Sequence, residues 1–434
     1  MGPFIRFVLV SALVLCASVP AFSQRDAGWD SVERGDWTRA REMFRQTLSN
    51  RPGDSQAAFG YALTVWLGVS VDPLTASNLA ADGWTDPVPG ALWFAELLQQ
   101  PALPDLSKFS NLSGHAVADW QSMAERDLLP AVLEALSRLE TAEKGWKEPL
   151  VLDGNLLAAA FSGRPAAGTA DLRRVDLAAV DAFDAGMSAF AAALEIFLSH
   201  DLDCNCAAIS AMFEGGSFRS GKYYNPFADP AFPGFGELRP GAAGNYSRAK
   251  DLLSRVSDKG LRAVALLEAD SGDRQDAWLP AFPAKTLSDM RSLFSALKSS
   301  LSGRFVNPVA GFGIAGVPEL SAGRFLAAPL SLRALFLDVG TNGEPLLFDV
   351  ESGAEVKTPV DGTPYAVRLK SPTFGGLLQE PLSGAGGLFP LIASYRSDLT
   401  PLGNVFQALW PAEDYTYDPD HPRKPSGGSR KRDN

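Results

Sequence analysis

The chain has 434 residues, of which 46% are hydrophobic, and its 50 acidic and 39 basic residues give a net charge of −11. This length is sufficient for two or three hydrophobic cores, and the apolar fraction is ordinary for a globular protein. An acidic surface repels phosphate backbones, which excludes general nucleic-acid binding from the expected functions.

The N-terminus has the pattern of a secretory signal peptide. Arg6 precedes an apolar run over residues 7–19, which is too short to span a bilayer as a helix. Ala21 and Ser23 then place small side chains where a signal peptidase reads them. We therefore expect residues 1–23 to be removed and the mature protein to be periplasmic or secreted.

The sequence argues against a lipid anchor and against a transmembrane helix. Cys16 suggests a lipoprotein, but acylation requires a small residue just before the cysteine, and Leu15 is not small. Beyond the signal peptide, no segment reaches the ~18 uncharged apolar residues of a transmembrane helix. We expect no transmembrane segment after signal cleavage.

Residues 24–68 predict antiparallel helices that approach closely through small residues and fill the space between them with aromatic ones. The residues that carry this pattern are Gly28, Gly35, Trp37, Ala40, Phe44 and Pro52. The pattern resembles the tetratricopeptide repeat over residues 25–68, with a departure at Thr47, where alanine is usual. The resemblance implies stacked helices with a concave face that binds a protein or peptide.

Residues 69–303 predict a larger helical domain. Apolar residues recur there at three- and four-residue spacing, in four runs at 114–144, 176–199, 247–268 and 286–301. Four amphipathic helices of this length bury a shared core. We expect Pro130 to kink the first helix or begin a new one, and Gly260 to weaken the third.

A long loop rich in proline, glycine and aromatic residues is expected within this domain at residues 213–243. It either stacks on a sugar or peptide ligand or packs as a cover over the helices. Gly216 and Gly221 nearly match the spacing of a phosphate-binding loop. However, Tyr223 occupies the position where a phosphate-binding loop has a serine or threonine hydroxyl that binds magnesium. The flanking segments also lack the patterns of a preceding strand and a following helix.

Residues 304–409 predict a small β-rich C-terminal region because glycine and proline become frequent and helical periodicity stops. Strands are expected at residues 333–339, 345–350 and 364–369, separated by turn sequences. Residues 410–434 are expected to be a disordered tail.

The segment from Asp338 to Asp349 has two interpretations. Its acidic residues lie near calcium-loop spacing, but Gly340 occupies a ligand position without a side chain. Asn342-Gly343 is typical of a tight hairpin turn between two strands, which is the preferred interpretation.

Cys204 and Cys206 follow directly after the expected end of the second long helix. Outside the cytoplasm two such close thiols tend to oxidise, but the bridge would close a small, strained ring. A disulfide and buried free thiols therefore both remain open. Zinc would need a fourth ligand beyond these cysteines and His200, and a calcium loop starting at Asp201 would need glycine in place of Cys206. We predict no metal here.

The sequence thus predicts a mainly α fold, with tetratricopeptide-like hairpins packed on a larger helical domain and a small β-rich C-terminal region. The expected function is an exported adaptor or scaffold that binds a protein or peptide partner in the cell envelope, without catalysis or a cofactor. One alternative is an extracytoplasmic hydrolase, whose two carboxylates would face a cleft ~5–10 Å apart. Another is a structural module of an outer-membrane assembly.

Overall fold

The computed structural model describes most of the chain between residues 27 and 336 and short pieces beyond. The longer described ranges are 27–34, 36–68, 117–153, 172–204, 229–270, 274–307 and 319–336, and the short pieces lie between 347 and 390. Within these residues the protein is mainly helical, which confirms the predicted class. The expected signal peptide and the expected tail lie outside the described residues.

Three helices begin the described chain: α1 (Ala27–Glu33), α2 (Trp37–Asn50) and α3 (Ser55–Gly68). Aspartates cap the second and third. Asp36 accepts a hydrogen bond from the backbone N–H of Arg39 (3.1 Å), and Asp54 accepts one from that of Ala57 (3.0 Å). Each satisfies a backbone donor that a helix start leaves free, so both starts are encoded locally.

Helix α3 is buried on every side. Each residue from Ala57 to Val65 is buried, including Thr64, whose hydroxyl donates to the carbonyl of Tyr61 (2.8 Å). A helix that is hydrophobic all round belongs inside a core rather than on a surface. Helix α3 is therefore a central helix of the protein.

The run predicted over residues 114–144 consists of two helices joined by a wider turn. Helix α4 (Val117–Met123) continues into a π-helical turn (Ala124–Leu128) and then into α5 (Leu129–Gly145). Pro130 lies in the first turn of α5. Because proline lacks an N–H and clashes with the carbonyl four residues earlier, the regular α-helical ladder cannot continue through it.

The next three helices confirm the other predicted runs. Helix α6 (Leu177–Phe197) starts at Asp176, whose side chain accepts from the backbone N–H of Ala179 (2.9 Å). Helices α7 (Ala242–Ala269) and α8 (Ala284–Leu301) follow. Helix α7 begins after Gly241, so the loop predicted to reach residue 243 ends slightly earlier.

Gly260 has a packing role that the sequence did not predict. Helix α7 passes through it without interruption, and the ring of Phe294 in α8 lies against it. A Cβ atom added to Gly260 would be 2.5 Å from Cδ1 of Phe294. Helix α7 is thus continuous through this glycine, which permits the close packing of α7 on α8.

Among the described residues, two antiparallel sheets accompany the helices. Strands β1 (Leu150–Asp153) and β2 (Leu172–Val175) pair with Leu150 opposite Val175. The second sheet has the order β4-β3-β5-β6. Its strands are β3 (Leu347–Asp349), β4 (Glu355–Val356), β5 (Tyr365–Arg368) and β6 (Leu388–Pro390).

The described part of the predicted strand at residues 333–339, which is residues 333–336, is helical instead. Residues Leu332–Phe336 form the short helix α10, which follows α9 (Ala322–Ala327). The hydroxyl of Ser331 accepts from the backbone N–H of Ala334 (2.9 Å) and so caps this helix. Much of the range 304–409 lies outside the described residues, so the extent of a β-rich region stays a prediction.

The described helices share one main hydrophobic core, to which α1–α3 and α5–α8 contribute. Phe59 of α3 shows how the N-terminal helices join it. Its ring makes edge-on contacts with Trp146, Phe183 and Trp278, each with ring centroids 5.6 Å apart. The core is thus continuous across residue 68.

Helix α6 has the length and apolarity of a membrane span, and it is the one such helix in the part of the chain that is described. More than half of its most apolar stretch is buried within the protein. A core helix passes the same test, and the packing of α6 fits that explanation.

Candidate functional site

Several buried charges of the described residues gather where α5, α6 and α7 meet. Spacings of three and four residues place the members from each helix on one face of it. We call this group the buried charge cluster, and its members are Glu140, Glu143, Asp181, Asp184, Arg255, Lys259 and Arg262.

Asp184 is fully buried and fully paired. Arg255 binds it in a bidentate manner, with Nε 2.6 Å from Oδ1 and Nη2 2.6 Å from Oδ2. The hydroxyl of Ser188 also donates to Oδ1 (3.0 Å), and Arg255 reaches α5 through the carbonyl of Leu136 (2.8 Å) and the carboxylate of Glu140. Arg255 therefore ties all three helices together.

The charge of Arg255 is retained despite burial. Burial lowers the pKa of its guanidinium, but the hydrogen bonds and charges of Asp184 and Glu140 outweigh that effect and raise the pKa overall. Bidentate pairing to carboxylates is the geometry that favours arginine at such positions.

Glu143 of α5 contacts two cations of α7. Its Oε2 accepts from Nζ of Lys259 and lies 3.2 Å from Nη1 of Arg262, whereas its buried Oε1 has no hydrogen-bond partner among the described residues. Burial raises the pKa of Glu143, the neighbouring carboxylate of Asp184 raises it further, and Lys259 opposes the shift.

Asp181 is the least satisfied member of the cluster. Nε of Arg262 lies 3.0 Å from its Oδ2, which makes an ion pair. Nevertheless, neither buried oxygen accepts a well-aligned hydrogen bond within the described part of the chain. Burial raises the pKa of Asp181 to about 7, against the lowering effect of Arg262. The cluster thus contains a carboxyl group poised to gain or lose a proton near neutral pH.

A second buried carboxylate lies near the end of α6. Glu195 is fully buried and accepts from Nε (2.6 Å) and Nη2 (2.9 Å) of Arg248 in α7. Arg248 also donates to the side chain of Asn245 (2.6 Å). This pair continues the ionic contacts between α6 and α7 toward the C-terminal end of α6.

The end of α6 is fixed by side chains that bind its last carbonyl groups. Gln121 donates to the carbonyls of Phe197 (2.9 Å) and His200 (2.6 Å). Nδ1 of His200 lies 3.3 Å from the carbonyl of Ile196, and its Nε2 lies 3.2 Å from that of Leu330. Both ring nitrogens of His200 therefore face backbone oxygens, which assigns the histidine to the helix end.

Cys204 is buried, with 6% of its surface exposed, whereas Cys206 lies outside the described residues. The choice between a disulfide and thiols thus stays open. Asp201 accepts from the backbone N–H of Asp203 (3.1 Å), which is a local turn. Among the residues described, no three His, Cys, Asp or Glu side chains are placed to hold a metal ion.

The described end of the aromatic loop, residues 229–241, packs on the end of α6. The backbone N–H of Asp201 donates to the carbonyl of Glu237 (2.8 Å), and that of Arg239 donates to the carbonyl of Ser199 (2.9 Å). The described part of the loop therefore covers the end of α6. The phosphate-loop-like segment and the remaining aromatic residues lie outside the described chain.

The structure places the residues of the N-terminal pattern in different environments. Trp37, Ala40 and Phe44 are buried, and Gly28 lies against the Phe44 ring. Pro52 is exposed in the turn between α2 and α3. Gly35 is outside the described residues, as is most of the possible calcium loop from Asp338. Asp349, at its end, lies on β3 opposite Tyr365.

Sequence reasoning missed Gly60 and the buried charge cluster. A glycine within a strong helical pattern is a signal of close packing, and Gly60 indeed meets the ring of Phe44. Asp181 and Asp184 interrupt the apolar sequence of α6 at a spacing of three residues, which was the available signal for the cluster. The cations of the cluster lie about 70 residues or more from these aspartates in the chain. The sequence alone therefore did not show which cations would pair with them.

A small cavity lies between α6, α7 and α8, with Ala182, Gly260 and Phe294 among its lining residues. Its volume of about 30 Å³ corresponds to a single water molecule, and its walls are apolar. The cavity is thus a packing gap rather than a ligand pocket.

Comparisons with known proteins add no assignment. No family model matches the chain, and neither the search of curated proteins nor that of solved structures gives a match.

Proposed function

We propose that the protein is an exported adaptor or scaffold that binds a protein or peptide partner in the cell envelope and does not catalyse a reaction. The observation that carries the proposal is the packing of Phe44 in α2 against Gly28 of α1 and Gly60 of α3. Tetratricopeptide-like hairpins stack their helices in this neighbour-to-neighbour manner. The proposal thus extends the resemblance noted in residues 25–68.

The partner would not bind on α3, because the protein covers that helix itself. Phe59 is packed against Trp146, Phe183 and Trp278, and Trp66 makes an edge-on contact with Phe190 (ring centroids 5.3 Å apart). The available surface of the hairpins is instead the outer face of α2. Its exposed residues are Thr38, Arg39, Glu42, Arg45, Gln46 and Ser49.

The outer face of α2 and its flanks are basic in an otherwise acidic protein. Residues 34–51 contain five arginines and two acidic residues, whereas the whole chain has a net charge of −11. Arg39 and Arg45 are both exposed there. Opposite charges steer association and favour the matching partner, so a segment with acidic side chains fits this surface.

The buried carboxylates support a structural rather than a hydrolytic role. Glu143 and Asp184 are held by Lys259 and Arg255 between packed helices, and both are almost or fully inaccessible. A glycosidase-type pair requires room for substrate and water beside the two carboxyl groups. The cluster offers neither.

Crosslinking pull-downs from intact cells test the proposal. We expect the wild-type protein to capture a partner that a variant with Arg39→Glu and Arg45→Glu fails to capture. A matched variant with Lys285→Glu and Arg291→Glu, two exposed cations of α8, should retain it. Circular dichroism would show that both variants keep their helices.

Two results would contradict the proposal. Equal capture by both double variants would remove α2 from the interaction, and no capture by the wild type would remove the adaptor function. Export has its own test, since N-terminal sequencing of the purified protein should begin at or near Gln24. An intact Met1 or an acylated Cys16 would show that the expected processing is wrong.

A further inference from the structure

The innermost carboxylates of the buried charge cluster are nearly or fully closed to water. Glu143 is 6% exposed, and Asp181 and Asp184 are fully buried, whereas Glu140 is half exposed to solvent. Asp184 is paired with Arg255, but among the described residues Asp181 forms an ion pair with Arg262 alone, which is 42% exposed and is shared with Glu143. When Asp181 is ionised, its buried charge is therefore compensated only in part, and such a charge is costly to bury.

The cluster also lacks a hydrogen-bond donor. Both oxygens of Asp181 and Oε1 of Glu143 are buried acceptors without a hydrogen bond within the described residues. Arg262 links the two side chains, because its Nε lies 3.0 Å from Asp181 Oδ2 and its Nη1 lies 3.2 Å from Glu143 Oε2. A proton on either carboxyl group would neutralise one buried charge and supply the missing donor.

We propose that the buried charge cluster binds one proton, held by the carboxyl groups of Glu143 and Asp181, and that its loss as the pH rises weakens the packing of α6 against α5 and α7. The cluster is then a pH-responsive element in the centre of the helical core. An exported protein encounters the pH of its surroundings directly, so this element makes its stability depend on that pH.

The direction of the effect follows from the protonation of the two states. Burial raises the pKa of Asp181 from 3.8 to about 7, so between these values the folded chain holds a proton that the unfolded chain lacks. The folding equilibrium constant then falls about tenfold for each unit of rising pH. Below this window both states are protonated and above it neither is, so this contribution becomes constant.

Urea denaturation of the full-length protein between pH 4.5 and 8.5, at about half-unit steps, tests the proposal. The side-chain amide of Asp181→Asn is neutral at every pH. In this variant the folding equilibrium constant should therefore lose the part of its pH dependence that Asp181 causes in the wild type, which is up to about tenfold per pH unit. Glu143→Gln should lose part of it in the same way, because the two carboxyl groups share the proton. The control is Asp258→Asn, which removes an exposed carboxylate of α7, and its unfolding free energy should depend on pH in the same way as that of the wild type.

A variant of Arg262 keeps the test decisive if Asp181→Asn does not fold. Arg262→Gln removes the cation that opposes protonation of Asp181 and that also contacts Glu143, so the upper end of the pH dependence should move to higher pH. Parallel curves for the wild type, Asp181→Asn and Glu143→Gln would overturn the proposal. An unchanged upper end in Arg262→Gln would overturn it as well.

Discussion

Gly60 of α3 lies directly against the ring of Phe44 in α2, so that a Cβ atom at Gly60 would be 2.5 Å from Cζ of the phenylalanine. Gly28 of α1 meets the same ring, and a Cβ atom there would be 2.6 Å from Cε1. Phe44 is fully buried and also makes an edge-on contact with Trp29 (ring centroids 4.9 Å apart). Two glycines therefore set how closely the first three helices approach.

Replacing Gly60 by alanine should destabilise the protein even though alanine is the better helix former. The added methyl group must displace the Phe44 ring, and overpacking of this kind costs about 1–3 kcal/mol. Chemical denaturation would measure the change. Gly53→Ala is the matched control, since nothing lies within 4 Å of its Cβ position. A neutral Gly60→Ala would show that α2 and α3 are not packed closely here.

Two glycines of α7 should respond to alanine with opposite signs. At Gly244 the nearest neighbour of an added Cβ atom would be Nη1 at the flexible end of Arg248, at 3.4 Å, so Gly244→Ala should stabilise the protein by up to ~1 kcal/mol through helix propensity. At Gly260 the methyl group meets the Phe294 ring, so Gly260→Ala should destabilise it. Thermal melts of the two variants compare them directly, and a stabilised Gly260→Ala would contradict the packing of α7 on α8.

Truncation of Trp37 should have consequences beyond the N-terminal helices. Trp37 is 8% exposed and belongs to the main core, and aromatic-to-alanine changes in a core cost ~3–5 kcal/mol. A separate tetratricopeptide-like unit would confine the damage to residues 25–68. Because α3 shares its core with α5 and α6, we now expect faster hydrogen exchange of Trp37→Ala in α5 as well. Acceleration restricted to residues 25–68 would instead favour a separate N-terminal module.

Loss of the Arg255 side-chain charge should be strongly destabilising. Arg255→Met retains most of the apolar stem but leaves the fully buried Asp184 without its bidentate partner, at a cost of about 3–5 kcal/mol. Arg126→Met provides the comparison, because Arg126 is 66% exposed and exposed pairs contribute ~1 kcal/mol or less. Similar urea midpoints for the two variants would mean that the cluster is open to water.

The pH response gives a further way to distinguish these effects. Arg255→Met removes a cation from the cluster, whereas Asp181→Asn removes an acceptor that lacks a donor. Arg255→Met should therefore lower the free energy of unfolding at every pH. Asp181→Asn should differ most from the wild type in this free energy above about pH 7, where the wild-type Asp181 is charged. A uniform loss in both variants would contradict the separate roles assigned to Asp181 and Asp184.

Local patterns were sufficient for the long helices. The start of α6 at Asp176 follows from a capping residue ahead of an apolar periodicity, and both signals lie within a few residues. The segment at residues 333–339 shows where this fails, since a short apolar run is compatible with either a strand or a helix. In the folded protein the hydroxyl of Ser331 caps this segment, which forms the helix α10.

The amino-acid sequence by itself determined the helical class, the main helix positions and the inward direction of Trp37, Ala40 and Phe44, because these depend on neighbouring residues and on helical spacing. Only the tertiary structure decided which distant residues meet. Arg255 binds Asp184 across 71 positions of the chain, and Gly260 receives the ring of Phe294 from another helix. The energy of such contacts depends on burial and geometry created by folding, and no local pattern encodes them.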